Sequence, residues 1–72
     1  MELTKEQKFY IFCIEVYKRE KGLTGKQTIE LFEKYDVESY VIDLFELLHI
    51  HGNAYIIKDI DDYIEARKKK GA

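Results

Sequence analysis

The chain has 72 residues, which is the size of one small domain and too short for two. Hydrophobic residues make up 46% of it and aromatic residues 14%, a composition typical of a folded globule and not of a disordered segment. With 12 basic and 14 acidic residues the formal net charge is -2, which excludes a strongly basic nucleic-acid-binding domain. Proline is absent, so a proline-rich linker is excluded as well.

Cysteine content and hydropathy indicate a cytoplasmic protein. Cys13 is the single cysteine, so no intramolecular disulfide can form, whereas small extracellular domains usually contain several. The start of the chain, MELTKEQK, is polar and lacks the apolar segment of a signal peptide. The longest apolar run covers residues 9–14, far short of the roughly 20 residues that cross a bilayer. We therefore expect one cytoplasmic domain, residues 1–72, with no membrane contact.

The first helix is predicted over about residues 5–21. Thr4 followed by Gln7 has the spacing of a capping box, and Gly22 is suited to the left-handed conformation that ends a helix. The apolar residues form an unusually wide stripe, with Ile11 outside it. Helix 1 is therefore predicted to be either the central helix of the domain or part of a dimer interface. The predicted stripe comprises Phe9, Phe12, Cys13 and Val16, widened by Tyr10, Ile14 and Tyr17.

The sequence predicts two further helices after helix 1. Thr24 and Gln27 form a second capping box, which starts a helix over about 25–35. Asp36 is a candidate cap for a third helix over about 37–51, which Gly52 is expected to stop. The predicted inner face of helix 2 consists of Thr28, Ile29, Leu31, Phe32 and Tyr35, and the core stripe of helix 3 of Val37, Tyr40, Val41, Leu44, Phe45, Leu47 and Leu48.

The last part of the chain mixes two signals. Residues 55–57 are consecutive residues of high strand propensity, and their only extended partner would be residues 23–24. Asp59 is expected to cap a final helix whose inner face is Ile60, Tyr63 and Ile64, with residues 71–72 frayed. The predicted fold class is thus mainly α, a compact three- to four-helix domain with a helix-turn-helix-like core and at most one short two-stranded β bridge.

The sequence offers no constellation typical of an enzyme or a metal site. His49 and His51 are two residues apart, so on a helix they point in nearly opposite directions and cannot chelate one ion. Cys13 lies within an apolar stripe with no basic residue one turn away to activate its thiol. We expect no catalytic residues, no metal and no cofactor.

A DNA-binding regulator is the alternative function that the predicted helix-turn-helix allows. Helix 3 would be the recognition helix. Its outward residues form an acidic surface where DNA phosphates and base edges favour Arg, Lys or Asn, so nucleic-acid binding is disfavoured. These outward residues are Glu38, Ser39, Asp43, Glu46 and His49.

Surplus apolar residues favour a protein–protein interaction module. Isoleucines lie off the core stripe of helix 3, beside acidic residues, and exposed apolar residues beside acids are suited to a protein interface. A homodimer through helix 1, including Ile11, is a further alternative. The predicted partner-binding residues are Ile42, Asp43, Glu46, His49 and Ile50.

The chain resembles domain of unknown function 3791, a family of short bacterial proteins, over about residues 6–66. The resemblance implies no catalytic residue. Members are often encoded beside a protein similar to ADP-ribosyltransferases, which implies an antitoxin-like partner of that neighbouring enzyme. The matching segments are Phe12-Cys13-Ile14-Glu15-x-Tyr17-Lys18, Gly25-Lys26-Gln27-x-x-x-Leu31-Phe32-x-Lys34-Tyr35, Tyr40, Leu48-His49-x-x-Gly52 and Tyr55-Ile56-x-x-Asp59-Ile60-Asp61-x-Tyr63-Ile64.

Overall fold

Five helices make up the fold in a computed structural model that describes residues 2–70. They are α1 (Lys5–Lys21), α2 (Gly25–Lys34), α3 (Val37–Asp43), α4 (Phe45–Leu48) and α5 (Asn53–Lys69). The prediction of a mainly α fold is confirmed, and helix is the only regular structure within 2–70. In this part of the chain no helix is both long and apolar enough to span a bilayer. Residues 71–72, predicted to fray, lie outside the described range.

Both predicted capping boxes form and fix the starts of α1 and α2. The Gln7 amide donates to the Thr4 hydroxyl at 3.0 Å, while the Gln7 side chain accepts from the Thr4 amide at 2.8 Å. Thr24 and Gln27 repeat this arrangement at 3.0 and 2.9 Å. Gly22 ends α1 in the left-handed conformation, as predicted. The start of each of these helices is therefore fixed by hydrogen bonds within its own first turn.

The third helix is shorter than predicted because the chain bends at Leu44. The predicted single helix over 37–51 is wrong: Leu44, with φ -102° and ψ 17°, separates α3 from the one-turn α4. Asp36 precedes α3 in the left-handed region, and its side chain makes no capping hydrogen bond, contrary to our expectation. Beyond the bend Leu48 is buried and the Phe45 ring meets Phe9 edge to face, with ring centroids 5.4 Å apart. Short helices depend on tertiary packing for their stability, and these core contacts supply it on the far side of the bend.

The predicted strand over 55–57 is wrong as well, because these residues belong to α5. The helix starts at Gly52, which caps it instead of stopping the previous helix, and Asp59 lies inside it instead of capping it. Three isoleucines four residues apart, Ile56, Ile60 and Ile64, form one buried stripe. A helix satisfies its own backbone hydrogen bonds, whereas a lone strand would leave them unpaired. The stripe therefore overrides local strand propensity.

Two tyrosine–aspartate hydrogen bonds tie α5 to the rest of the domain. The Tyr17 hydroxyl of α1 donates to Asp61 at 2.7 Å, and the Tyr40 hydroxyl of α3 donates to Asp59 at 2.7 Å. Lys21 also pairs with Asp61 at 2.6 Å. Burial, followed by these hydrogen bonds, raises the pKa of both phenols above their ordinary value. Asp59, which was predicted to cap a helix, thus instead joins α5 to α3, and Asp61 joins α5 to α1.

The hydrophobic core lies where α1, α2, α3 and α5 meet. Thr28 is the one buried polar side chain among residues 2–70, and its hydroxyl donates to the Thr24 carbonyl at 2.9 Å. Three residues predicted to face the core are instead exposed: Phe12 at 43%, Ile29 at 42% and Leu47 at 63%. The core side chains are Phe9, Cys13, Val16, Tyr17, Phe32, Tyr35, Val37, Val41, Leu48, Ile56, Ile60 and Ile64.

Substituting Thr24→Ala should lower the free energy of unfolding by about 1 kcal/mol, because the Gln27 amide loses its hydroxyl acceptor. Urea unfolding followed by circular dichroism measures the change. Thr24→Ser keeps a hydroxyl and should retain most of the stability. Equal stability of Thr24→Ala and the wild type would contradict a capping role.

Candidate functional site

The predicted partner-binding residues lie on α3, α4 and the turn that follows, not on one continuous helix. Ile42 and Asp43 end α3, Glu46 lies on α4, and His49 and Ile50 follow α4. Ile42 is half-buried, whereas the other four are exposed. Four of the five predicted residues are therefore accessible to a partner, whereas much of the Ile42 side chain is buried.

Leu47 is the residue of this surface that sequence reasoning missed. It was assigned to the core, yet its neighbour Leu48 occupies the core and Leu47 is 63% exposed. Ile50 comes three residues later, close to one helical turn, and is 70% exposed. The pair are the two most exposed large apolar side chains among residues 2–70. We define the 43–50 face as Asp43, Glu46, Leu47, His49 and Ile50.

Backbone hydrogen bonds hold the 43–50 face in place despite the bend. The Leu44 amide donates to the Tyr40 carbonyl at 3.1 Å, which closes α3. The amides of Leu47 and Leu48 both donate to the Leu44 carbonyl, at 3.0 and 2.8 Å, which starts α4. The His51 amide then donates to the Leu48 carbonyl at 3.0 Å. Backbone hydrogen bonds thus fix Leu44, Leu47, Leu48 and His51, and Ile50 lies between two of the fixed residues.

His49 is fixed as part of an aromatic row that reaches into the core. Its ring stacks on Phe45 with centroids 4.5 Å apart, and its Nδ1–H donates to the Phe45 carbonyl at 2.7 Å. Phe45 in turn packs against the buried Phe9. Because Nδ1 carries the proton of the neutral ring in this hydrogen bond, Nε2 is left as an acceptor. The 43–50 face therefore combines an apolar pair with a fixed polar group.

The two histidines are held apart by different aromatic partners. His49 stacks on Phe45, whereas His51 stacks on Tyr55 with centroids 3.9 Å apart. Within residues 2–70 no three or more His, Cys, Asp or Glu side chains come together in a geometry that could hold a metal ion. This region is organised by ring stacking.

Cys13 is buried completely in the core. Burial raises the pKa of its thiol from 9.0 to about 12, because the thiolate would lose its hydration. At neutral pH the group is therefore a thiol, not the thiolate that nucleophilic and redox chemistry require. Its surroundings favour the interpretation of Cys13 as a small core residue.

An open cavity of about 470 Å³ lies between α1 and α5. Lys21 and Asp61 both line it and pair with each other at 2.6 Å. Lys58, which lines the cavity from α5, pairs with Asp62 at 3.0 Å, which raises the pKa of the lysine. Glu20 also lines the cavity and makes no ion pair within residues 2–70.

The predicted recognition helix is reduced to the seven residues of α3. A tight turn at residues 35–36 joins it to α2, which keeps a helix-turn-helix-like order. Glu38, Ser39 and Asp43 are its exposed residues among those predicted to face outward. A surface with two carboxylates repels DNA phosphates, so the geometry gives no support to DNA binding.

Comparison with known proteins gives one finding on the family. The model of the family described as "Protein of unknown function (DUF3791)" matches residues 8–67, which confirms the resemblance seen in the sequence. No curated protein and no solved structure matches the chain.

The Cys13 thiol should not react with a disulfide reagent such as DTNB in the native protein at pH 8, because it is buried and protonated. In urea one equivalent should react at once, as followed by absorbance of the released thiolate. Ser39→Cys, which adds a thiol at an exposed position of α3, is the control and should react immediately without urea. Rapid native labelling of the wild type would show that Cys13 is accessible.

Proposed function

We propose that this chain, which belongs to the DUF3791 family, is a non-catalytic protein-interaction module that binds its partner through the 43–50 face. The observation that carries the proposal is the exposure of Leu47 and Ile50, at 63% and 70%, on a short segment fixed by backbone hydrogen bonds. A monomer gains nothing in stability from apolar side chains placed in solvent. A partner that covers these side chains removes them from water, and this burial stabilises the complex.

The energetic reason is the burial of apolar surface. Covering a Leu or Ile side chain completely contributes about 1.5–3 kcal/mol. Two such anchors close together form the kind of small apolar centre on which much of the affinity of an interface depends. Because the 43–50 face is already ordered, little conformational entropy is lost when the partner binds.

The charges around the apolar pair indicate the chemistry of the partner. Asp43 and Glu46 are exposed, and neither makes an ion pair within the part of the chain that the structure describes. A partner surface with an apolar pocket and a rim of Lys or Arg would complement both features. Nε2 of His49 would accept a hydrogen bond from such a rim.

An antitoxin-like role is the more specific form of this proposal. The family association with an ADP-ribosyltransferase-like neighbour suggests the partner, and a cleft that binds an anionic dinucleotide is expected to be basic. The acidic rim formed by Asp43 and Glu46 would favour binding over such a cleft. A DNA-binding regulator stays the alternative prediction, without an observation in its favour.

Affinity capture from the native cell extract tests the proposal. The tagged wild-type chain should retain one partner at a fixed stoichiometry, measured by mass spectrometry and light scattering. Leu47→Asp/Ile50→Asp should lose it, because two carboxylates replace the apolar anchors. In the antitoxin-like form, the retained partner is the ADP-ribosyltransferase-like protein, and adding the wild-type chain lowers its transferase activity.

Ile29→Asp is the matched control, since Ile29 is an exposed isoleucine on α2, 42% exposed and outside the 43–50 face. This variant should retain the partner as the wild type does. Overlapping circular dichroism spectra of the three proteins establish that each is folded. Equal retention by Leu47→Asp/Ile50→Asp would overturn the proposed face.

A further inference from the structure

Helix α1 carries a second apolar surface, on the side away from the core. Ile11 and Phe12 are 46% and 43% exposed. Lys8 lies about one turn before them and Glu15 one turn after, and both are exposed. At 100° per residue these four side chains fall within an arc of about 100°. We define the α1 outer face as Lys8, Ile11, Phe12 and Glu15.

The core residues of α1 lie on a different side of the helix from the α1 outer face. Phe9, Cys13, Val16 and Tyr17 are buried, and their mean direction on the helix lies well over 90° from that of the α1 outer face. Phe12 stacks on the buried Phe9, with ring centroids 6.2 Å apart. Just under half of Ile11 and of Phe12 is therefore left uncovered by the chain that bears them.

The order of charges along the α1 outer face makes it complementary to itself. In an antiparallel pair of α1 helices with a two-fold axis between Ile11 and Phe12, Ile11 of one copy opposes Phe12 of the other. Lys8 of each copy then opposes Glu15 of the other, so both charge pairs are attractive. A parallel pair would instead place lysine beside lysine and glutamate beside glutamate.

The contacts of Glu15 within its own chain leave it able to pair with Lys8 of a second copy. Its carboxylate pairs with Lys18 of the same chain at 3.4 Å, and both side chains are partly exposed. A carboxylate has two oxygens and accepts several hydrogen bonds, so Lys8 of a second copy can bind it too. Lys18 keeps its own pairing in this arrangement.

We propose that the occupant of the α1 outer face is a second copy of this chain, bound as an antiparallel two-fold dimer. Such an interface is isologous, with the same residues contributed by each copy. A single helix pair buries less surface than the roughly 1,200–2,000 Å² of a stable complex, so the dimer is weak and reversible. This inference concerns self-association and is independent of the partner bound at the 43–50 face.

Charge reversal tests the pairing by sedimentation equilibrium of the full chain over a wide concentration range. Lys8→Glu and Glu15→Lys should each weaken dimerisation by about tenfold, because two attractive pairs become repulsive. The double variant Lys8→Glu/Glu15→Lys should dimerise as the wild type does. An equimolar mixture of the two single variants should form a heterodimer of similar strength.

Lys26→Glu is the control, since it reverses an exposed lysine on α2 and should leave dimerisation unchanged. Circular dichroism checks that each variant is folded, which is expected because all the altered side chains are exposed. A monomeric wild type at every concentration would overturn the proposal. Single variants that dimerise normally, or a double variant that fails to recover, would overturn it equally.

Discussion

The buried isoleucine stripe of α5 is the contact on which the rest of the structure depends. Ile56, Ile60 and Ile64 are each at most 3% exposed, and they complete a core that α1, α2 and α3 alone would leave open. The hydrogen bonds from Tyr17 to Asp61 and from Tyr40 to Asp59 lie along the same helix and fix its orientation. In so small a domain, the packing of α5 against the other helices determines which other apolar residues are buried in the core.

The limited core explains why apolar surface remains outside. After the bend at Leu44, Leu48 is buried and Phe45 packs on Phe9, whereas Leu47 and Ile50 project into solvent. On α1 the same limit leaves Ile11 and Phe12 on the outer side. Single exposed apolar residues are common on monomeric proteins, whereas contiguous apolar patches are typical of interaction surfaces. We propose that these side chains serve contacts between molecules.

The sequence predicted the local features well and the long-range features poorly. Thr4 and Thr24 start their helices through side chains only three residues away, so a short window contains all the necessary information. The segment 55–57 was misassigned because its strand propensity is local, whereas the helical stripe to which Ile56 belongs needs the core of the other helices. The bend at Leu44 has no glycine or proline to indicate it, and so Leu47 was wrongly placed in the core. The acidic part of the candidate site was predictable, because charged residues are exposed in almost any packing.

The central claim is that Leu47 and Ile50 serve binding and not folding. Urea unfolding of the Leu47→Asp/Ile50→Asp variant tests it most directly, with Ile60→Ala as a core substitution that should cost about 2–5 kcal/mol. If the two side chains are surplus to the core, the double variant should keep its free energy of unfolding within about 0.5 kcal/mol of the wild type. A loss of about 2 kcal/mol or more would place these residues in the structural core and contradict the proposed face.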